Sequence, residues 1–125
     1  EYGTSRAWVE GRLQQNYDVV LEIDWQGALQ VKEKFPEAVL IFILPPTIEH
    51  LKQRLQVRAQ DSEEVQKQRV SEAKLEISKY NHFDYLIVNS NFKVACSDLL
   101  GIFRSYSLTT PRQELRLQSL IDNLL

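Results

Sequence analysis

The sequence predicts an α/β protein, a parallel sheet covered by helices. Three observations predict it. Apolar runs of strand length alternate with stretches of helical periodicity, and strands separated by helices join by crossovers into a parallel sheet. One run, AVLIFIL (residues 38–44), is apolar at every position, the pattern of a strand buried on both faces. Another, DVVLEI (residues 18–23), runs into carboxylates where a helical pattern begins. Sheets of this class place ligands there, beyond the carboxyl ends of their strands.

The elements follow in order. Residues 4–16, TSRAWVEGRLQQN, are expected to form a helix capped by Thr4 or Ser5, with Ala7, Trp8 and Leu13 on its apolar side. Gly11 weakens it by up to about 1 kcal/mol against Ala. Residues 18–23 form the first strand. Asp24 caps the next helix, which aligns Trp25, Ala28, Leu29 and Phe35 on one face and stops at Pro36. Residues 38–44 form the second strand, ended by Pro45 and Pro46. Thr47 then caps a helix with Ile48, Leu51 and Leu55 inward.

RAQDSEE (residues 58–64) is a polar break, in which Asp61 and Glu64 have the spacing of a capping box. The helix after it runs to about Tyr80, with Val70, Ala73 and Ile77 on one side. FDYLIVN (residues 83–89) forms the third strand. Asn91 caps a helix carrying Phe92, Ala95, Leu99, Ile102 and Tyr106, and Thr109-Thr110-Pro111 breaks it. A final amphipathic helix, about 112–125, carries Leu117, Leu120, Ile121 and Leu124.

Composition bounds the class of function. The 125 residues suit one domain or part of one, and 43% hydrophobic with 26% charged residues is ordinary for a globular protein. A net charge of −2 gives no general attraction to nucleic acid. Cys96 stands alone, which excludes an internal disulfide, and its two histidine companions are too distant in sequence for a metal-ligand spacing. It reads as a small packed residue. No apolar run approaches a membrane span and no secretory signal opens the chain, so a cytoplasmic location is expected. The chain opens at EYGTS without methionine, as a fragment or processed product would.

Two groups of residues carry chemistry. Glu22 and Asp24 stand at the end of the first strand. Spacing supports Asp24 equally as a helix cap and as a site residue, and one residue can serve as both. The second group is basic. Arg54 and Arg58 lie four apart on one helix, where like charges repel slightly, and Arg69 follows beyond the polar break. Arginine forks suit phosphate oxygens, so two helices with such a tip read as a lid over phosphates; the plainer reading is a solvated basic face paired with Asp61, Glu63 and Glu64. Together the groups suggest phosphoryl transfer, with carboxylates toward the water shell of Mg²⁺ and arginines toward phosphate. The sequence contains no G-x-x-x-x-G-K-[ST].

YGTS (residues 2–5), LEIDWQGA (21–28), IFILPP (41–46), the series Arg54, Arg58, Asp61-Ser62-Glu63-Glu64, Arg69, and YLIVN (85–89) occur in that order. As a set they resemble the C-terminal portion of the bacterial guanylate kinases. The resemblance implies a P-loop nucleoside monophosphate kinase-like fold truncated at its N-terminus, with a partial domain over 1–125, a lid at about 54–69 and the C-terminal helix. It implies transfer of the γ-phosphate of ATP to GMP, giving ADP and GDP, with Mg²⁺, and neither nucleic acid nor membrane as partner.

By the same resemblance, Tyr2 contacts the GMP phosphate and Thr4 contacts guanine. Asp24 and Glu22 lie near GMP, with Asp24 reaching the metal only through water and no residue ligating it directly. Arg54, Arg58 and Arg69 meet the phosphates, with Arg58 also on the ATP side, and Asn89 lies near adenine. Gln26 and Gly27 match the motif as structural residues. The sequence departs from the family in lacking the phosphate-binding loop and the upstream GMP residues. It also has Val57-Arg58-Ala59 where Arg-Gly is frequent, and Ser90 where Asp is common. The 125 residues alone are therefore expected to be inactive. The strand that would lie between 19–23 and 39–44 is expected to come from an N-terminal segment, from a second chain by homo-oligomerisation or strand exchange, or to be bypassed by direct pairing. Two other functions compete: a non-catalytic guanylate-kinase-like binding module, against which the retained arginines and Asp24 argue, and a kinase for another nucleoside monophosphate.

Overall fold

The structure, a computed structural model, describes residues 4–55 and 61–125. The chain divides into two compact units, Glu1–Pro36 and Glu37–Leu125.

In the first unit, α1 (Arg6–Gln14) begins at Ser5, whose hydroxyl accepts from the Trp8 amide. The helix ends at Asn16, which adopts a left-handed φ of 65°. There the Asn16 amide donates to the Leu13 carbonyl and the Tyr17 amide to the Arg12 carbonyl, the paired bonds of a Schellman motif. That motif is usually sealed by an apolar contact. Here the Arg12 guanidinium seals it, 5.4 Å from the Tyr17 ring and 5.5 Å from that of Trp8. The buried residue of α1 is Val9, whereas Trp8 and Leu13, expected inward, are exposed. The apolar side is set by which turn meets a neighbour, and that is not encoded in the periodicity of so short a helix.

Residues 18–23 do not form a strand, which corrects the sequence expectation. β-Branched residues favour extended backbone, but a strand exists only when a neighbour takes its N–H and C=O groups. Among the described residues, no strand ladder includes this segment. The helix after it, α2 (Trp25–Lys34), is capped as expected by Asp24, and Ala28 is its buried residue.

The second unit holds β1 (Ile41–Leu44), α3 (Ile48–Leu55), α4 (Glu63–Ile77), a 3₁₀ turn (Tyr80–His82), β2 (Tyr85–Val88), α5 (Phe92–Ser107) and α6 (Thr110–Leu124). Thr47 caps α3 through the His50 amide, and Asn91 caps α5 through the Lys93 and Val94 amides. Ser62 caps α4 by accepting from the Val65 amide, one residue later than the expected box. β1 and β2 are parallel, with Ile41 opposite Tyr85 and Leu44 opposite Val88, and the helical segment between them supplies the crossover that parallel strands need.

Asp84 fixes the start of the pair: its carboxylate accepts from the Leu40 amide at 2.8 Å, and its own amide donates to the Leu40 carbonyl. Leu40, Phe42, Leu51 and Ile87 form the core, and the Phe42 and Phe83 rings meet edge to face at 4.8 Å. Complete burial of β1 does not hold: Ile43 is half exposed, as are Tyr85, Leu86 and Val88 of β2. The two strands seen among the described residues are fewer than a parallel sheet covered on both faces has. Phe92, expected on the apolar face of its helix, is also exposed at the first position of α5.

Candidate functional site

The predicted site residues fall in both units, and each group is built locally. In the first unit, Asp24 stands at the N-terminus of α2 in extended backbone, with ψ of 173°. Its Oδ1 accepts from the Gly27 amide at 2.7 Å, satisfying one of the helix's orphan donors. Gly27 is more than a motif residue here. A β-carbon on it would lie 3.0 Å from Asp24 Oδ1 and 3.4 Å from Ile23 Cβ, so the glycine makes room for the carboxylate. Glu22 and Gln26 flank the cap and are exposed. Thr4 is exposed just before the cap of α1. A shallow cavity in this unit is lined by Trp8, Arg12, Tyr17, Asp18, Val19 and Val20, none of them a predicted site residue. Tyr2 lies outside the described residues.

In the second unit, Arg54 projects from the exposed last turn of α3 and Arg69 lies on the first half of α4. They stand on consecutive helices. Arg58 lies outside the described residues. The Arg69 Nη1 is 2.8 Å from Asp61 Oδ2 and donates to the Leu55 carbonyl at 3.5 Å. Charge pattern alone offered Asp61, Glu63 and Glu64 as partners; geometry selects Asp61, which precedes the helix while the two glutamates occupy its first turn. Asn89 follows β2, half-buried, with its amide on the Leu44 carbonyl at 2.9 Å. It thus marks the carboxyl end of the sheet, the edge where this architecture receives ligands. Cys96 is a half-buried free thiol on α5. Among the described residues, no group of three or more His, Cys, Asp or Glu side chains is placed to hold a metal ion. No helix there is long and apolar enough to cross a membrane.

A parallel pair flanked by helices, with arginines on two helices beyond it and a capping carboxylate before another, defines an α/β protein of the nucleotide-kinase-like fold. The solved guanylate kinase of Anaplasma phagocytophilum superposes with a TM-score of 0.71 at 30% identity, over 91% of this chain and 56% of that one. The guanylate kinase family model matches residues 1–106. The chain belongs to the guanylate kinase family. Curated guanylate kinases of Psychrobacter arcticus and Nitrosococcus oceani are each 52% identical to it over 124 residues. That of Vibrio vulnificus is 48% identical over the same length. The match takes in 99% of this chain, which spans about 60% of the length of these relatives.

Proposed function

We propose that this chain forms part of an enzyme that transfers the γ-phosphate of ATP to GMP, giving ADP and GDP, in the cytoplasm where both nucleotides occur. The observation that carries the reading is the family match across residues 1–106, which takes in the acidic cap and the arginine series together. In this reading Tyr2 and Thr4 hold the GMP phosphate and guanine, Glu22 and Asp24 lie beside the acceptor, and Asn89 lies on the adenine side.

Arg54, Arg58 and Arg69 act electrostatically. The transferring phosphoryl group spreads negative charge over its equatorial oxygens, and guanidinium forks meet that charge; Arg54 and Arg69 present theirs from helices. Asp24 and Glu22 would face the hydration shell of Mg²⁺, which when bound neutralises phosphate charge. One exposed carboxylate with an oxygen already on a helix amide suits an ion that keeps its waters, rather than a direct cage. The 125 residues contain no P-loop pattern, so the reading assigns the cradle of the triphosphate to the whole protein and expects no turnover from these residues alone.

Kinetics of the full-length protein test the reading. Arg54→Ala, Arg58→Ala and Arg69→Ala should each lower kcat about 100-fold or more, as loss of a transition-state donor does, and change the KM for GMP by less than about tenfold. Parental kinetics in all three variants would remove the arginines from the reaction.

A further inference from the structure

Arg69 is held from two sides. Leu55, whose carbonyl accepts from Nη1, is the last residue of α3, and Asp61, whose carboxylate pairs with the same nitrogen, precedes α4. Asp61 is itself anchored. Its carbonyl accepts from Gln66 Nε2 at 3.3 Å, and Ser62 beside it caps the helix. Its side chain is only 19% exposed, against 38% for Arg69. Asp61 Oδ2, the atom that meets Arg69, is buried, so the pair also braces the start of α4, and the test below separates that bracing from an effect on turnover.

The contacts divide the guanidinium. Both fall on Nη1, and among the described residues no hydrogen bond or ion pair is seen at the Nε–Nη2 edge. That edge presents two parallel N–H bonds, the fork that matches two oxygens of a phosphate. We propose that Asp61 is a positioning residue: with the Leu55 carbonyl it fixes Arg69 by Nη1 and leaves the Nε–Nη2 fork to the transferring phosphoryl group. The proposal rests on the role given to Arg69 above. A guanidinium on a free stem would lose rotamer freedom on meeting the phosphate, and one already gripped at the far nitrogen loses less.

A mutant cycle in the full-length enzyme tests it, using Asp61→Asn, Arg69→Ala, the double variant and Asp61→Glu. Turnover is measured at saturating GMP and ATP, KM for each, and the thermal midpoint of each variant. Asp61→Asn should lower kcat by about 10- to 100-fold, the range expected when a reacting contact shifts by up to an ångström, with KM values within about threefold. Asp61→Glu should recover part of the loss, and Asp61→Asn should have no further effect on Arg69→Ala. Parental turnover in Arg69→Ala would overturn the role of Arg69 and this proposal with it. Loss of turnover in Arg69→Ala with parental or raised turnover in Asp61→Asn would overturn the positioning role alone. So would an equal loss from Asp61→Asn in both backgrounds. A lowered midpoint in Asp61→Asn with parental kcat below the transition would reduce Asp61 to a brace. Should Asp61→Asn fail to fold, Asp61→Glu decides by the same comparison in the two backgrounds.

Discussion

Gly27→Ala in the full-length protein separates what the start of α2 does for stability from what it does for the reaction. Ala favours a helix interior over Gly by roughly 0.8–1 kcal/mol. Against that gain stands the new β-carbon, 3.0 Å from Asp24 Oδ1 and 3.4 Å from Ile23 Cβ. Ile23 Cβ is tied to the backbone, so the carboxylate must give, by a few tenths of an ångström. The cap bond it makes at 2.7 Å then lengthens, and a cap is worth about 1 kcal/mol in all. The two effects are of one size and opposite sign, so stability should change by less than about 0.5 kcal/mol. Turnover has no such compensation: on the proposed role of Asp24 beside the acceptor, a displacement of that amount should lower kcat about tenfold. Urea melts read the first quantity, with the slope compared between variants, and steady-state kinetics read the second. Two controls calibrate them. Asp24→Asn, an equally good cap, should keep stability while losing magnesium-dependent turnover, and Asp24→Ala should lose about 1 kcal/mol as well. A Gly27→Ala protein stabilised by roughly 1 kcal/mol with full turnover would refute both the crowding and the role of Asp24.

Asp84→Ala removes the acceptor of the Leu40 amide and should destabilise the full-length protein by about 1–3 kcal/mol, the cost of stranding a partly buried donor. Asp84→Asn, which keeps an acceptor, should recover most of it; equal melting midpoints for Asp84→Ala and the parent would show that water serves the amide. The 125 residues expressed alone should show no GMP-dependent ADP release in a coupled assay, and measurable release would mean that they cradle the triphosphate without a P-loop.

What could be read from the sequence was local. The caps at Asp24, Thr47 and Asn91 are legible because an N-cap depends on one side chain and the amides two or three residues on. The 38–44 run was legible as a strand because its continuous apolar character has few other uses, although only residues 41–44 complete a ladder. Residues 18–23 misled for the complementary reason: their composition states a preference for extension, and pairing is decided by a partner elsewhere. At the candidate site, the arginines and Asp24 were legible as charge in a spacing. The selection of Asp61 from three acidic neighbours was not, because Arg69 reaches back past the helix start to meet it. The role of Asp84 is not legible in the sequence, because a carboxylate at a strand end is equally consistent with ordinary surface polarity. Its one signal was an acidic residue placed just ahead of an apolar run.

The grip of Asp84 on Leu40 also bears on the order in which the second unit assembles. Residue 40 is tied by three bonds, two to the carboxylate and amide of Asp84, 44 residues away in sequence, and one to the amide of the next residue, Tyr85. Closing a loop of that length costs entropy before the ladder returns anything, whereas α3 and α4, which lie within the loop, need only near neighbours to form. The helices are therefore expected to shorten the effective loop first and the strands to meet late, an order that pulsed hydrogen exchange during refolding would check. A late contact governs how fast the native state comes apart more than how fast it forms. The three-point grip at residue 40 also admits a single register: a slip by one residue would break it at once and turn Phe42 or Ile87 out of the core.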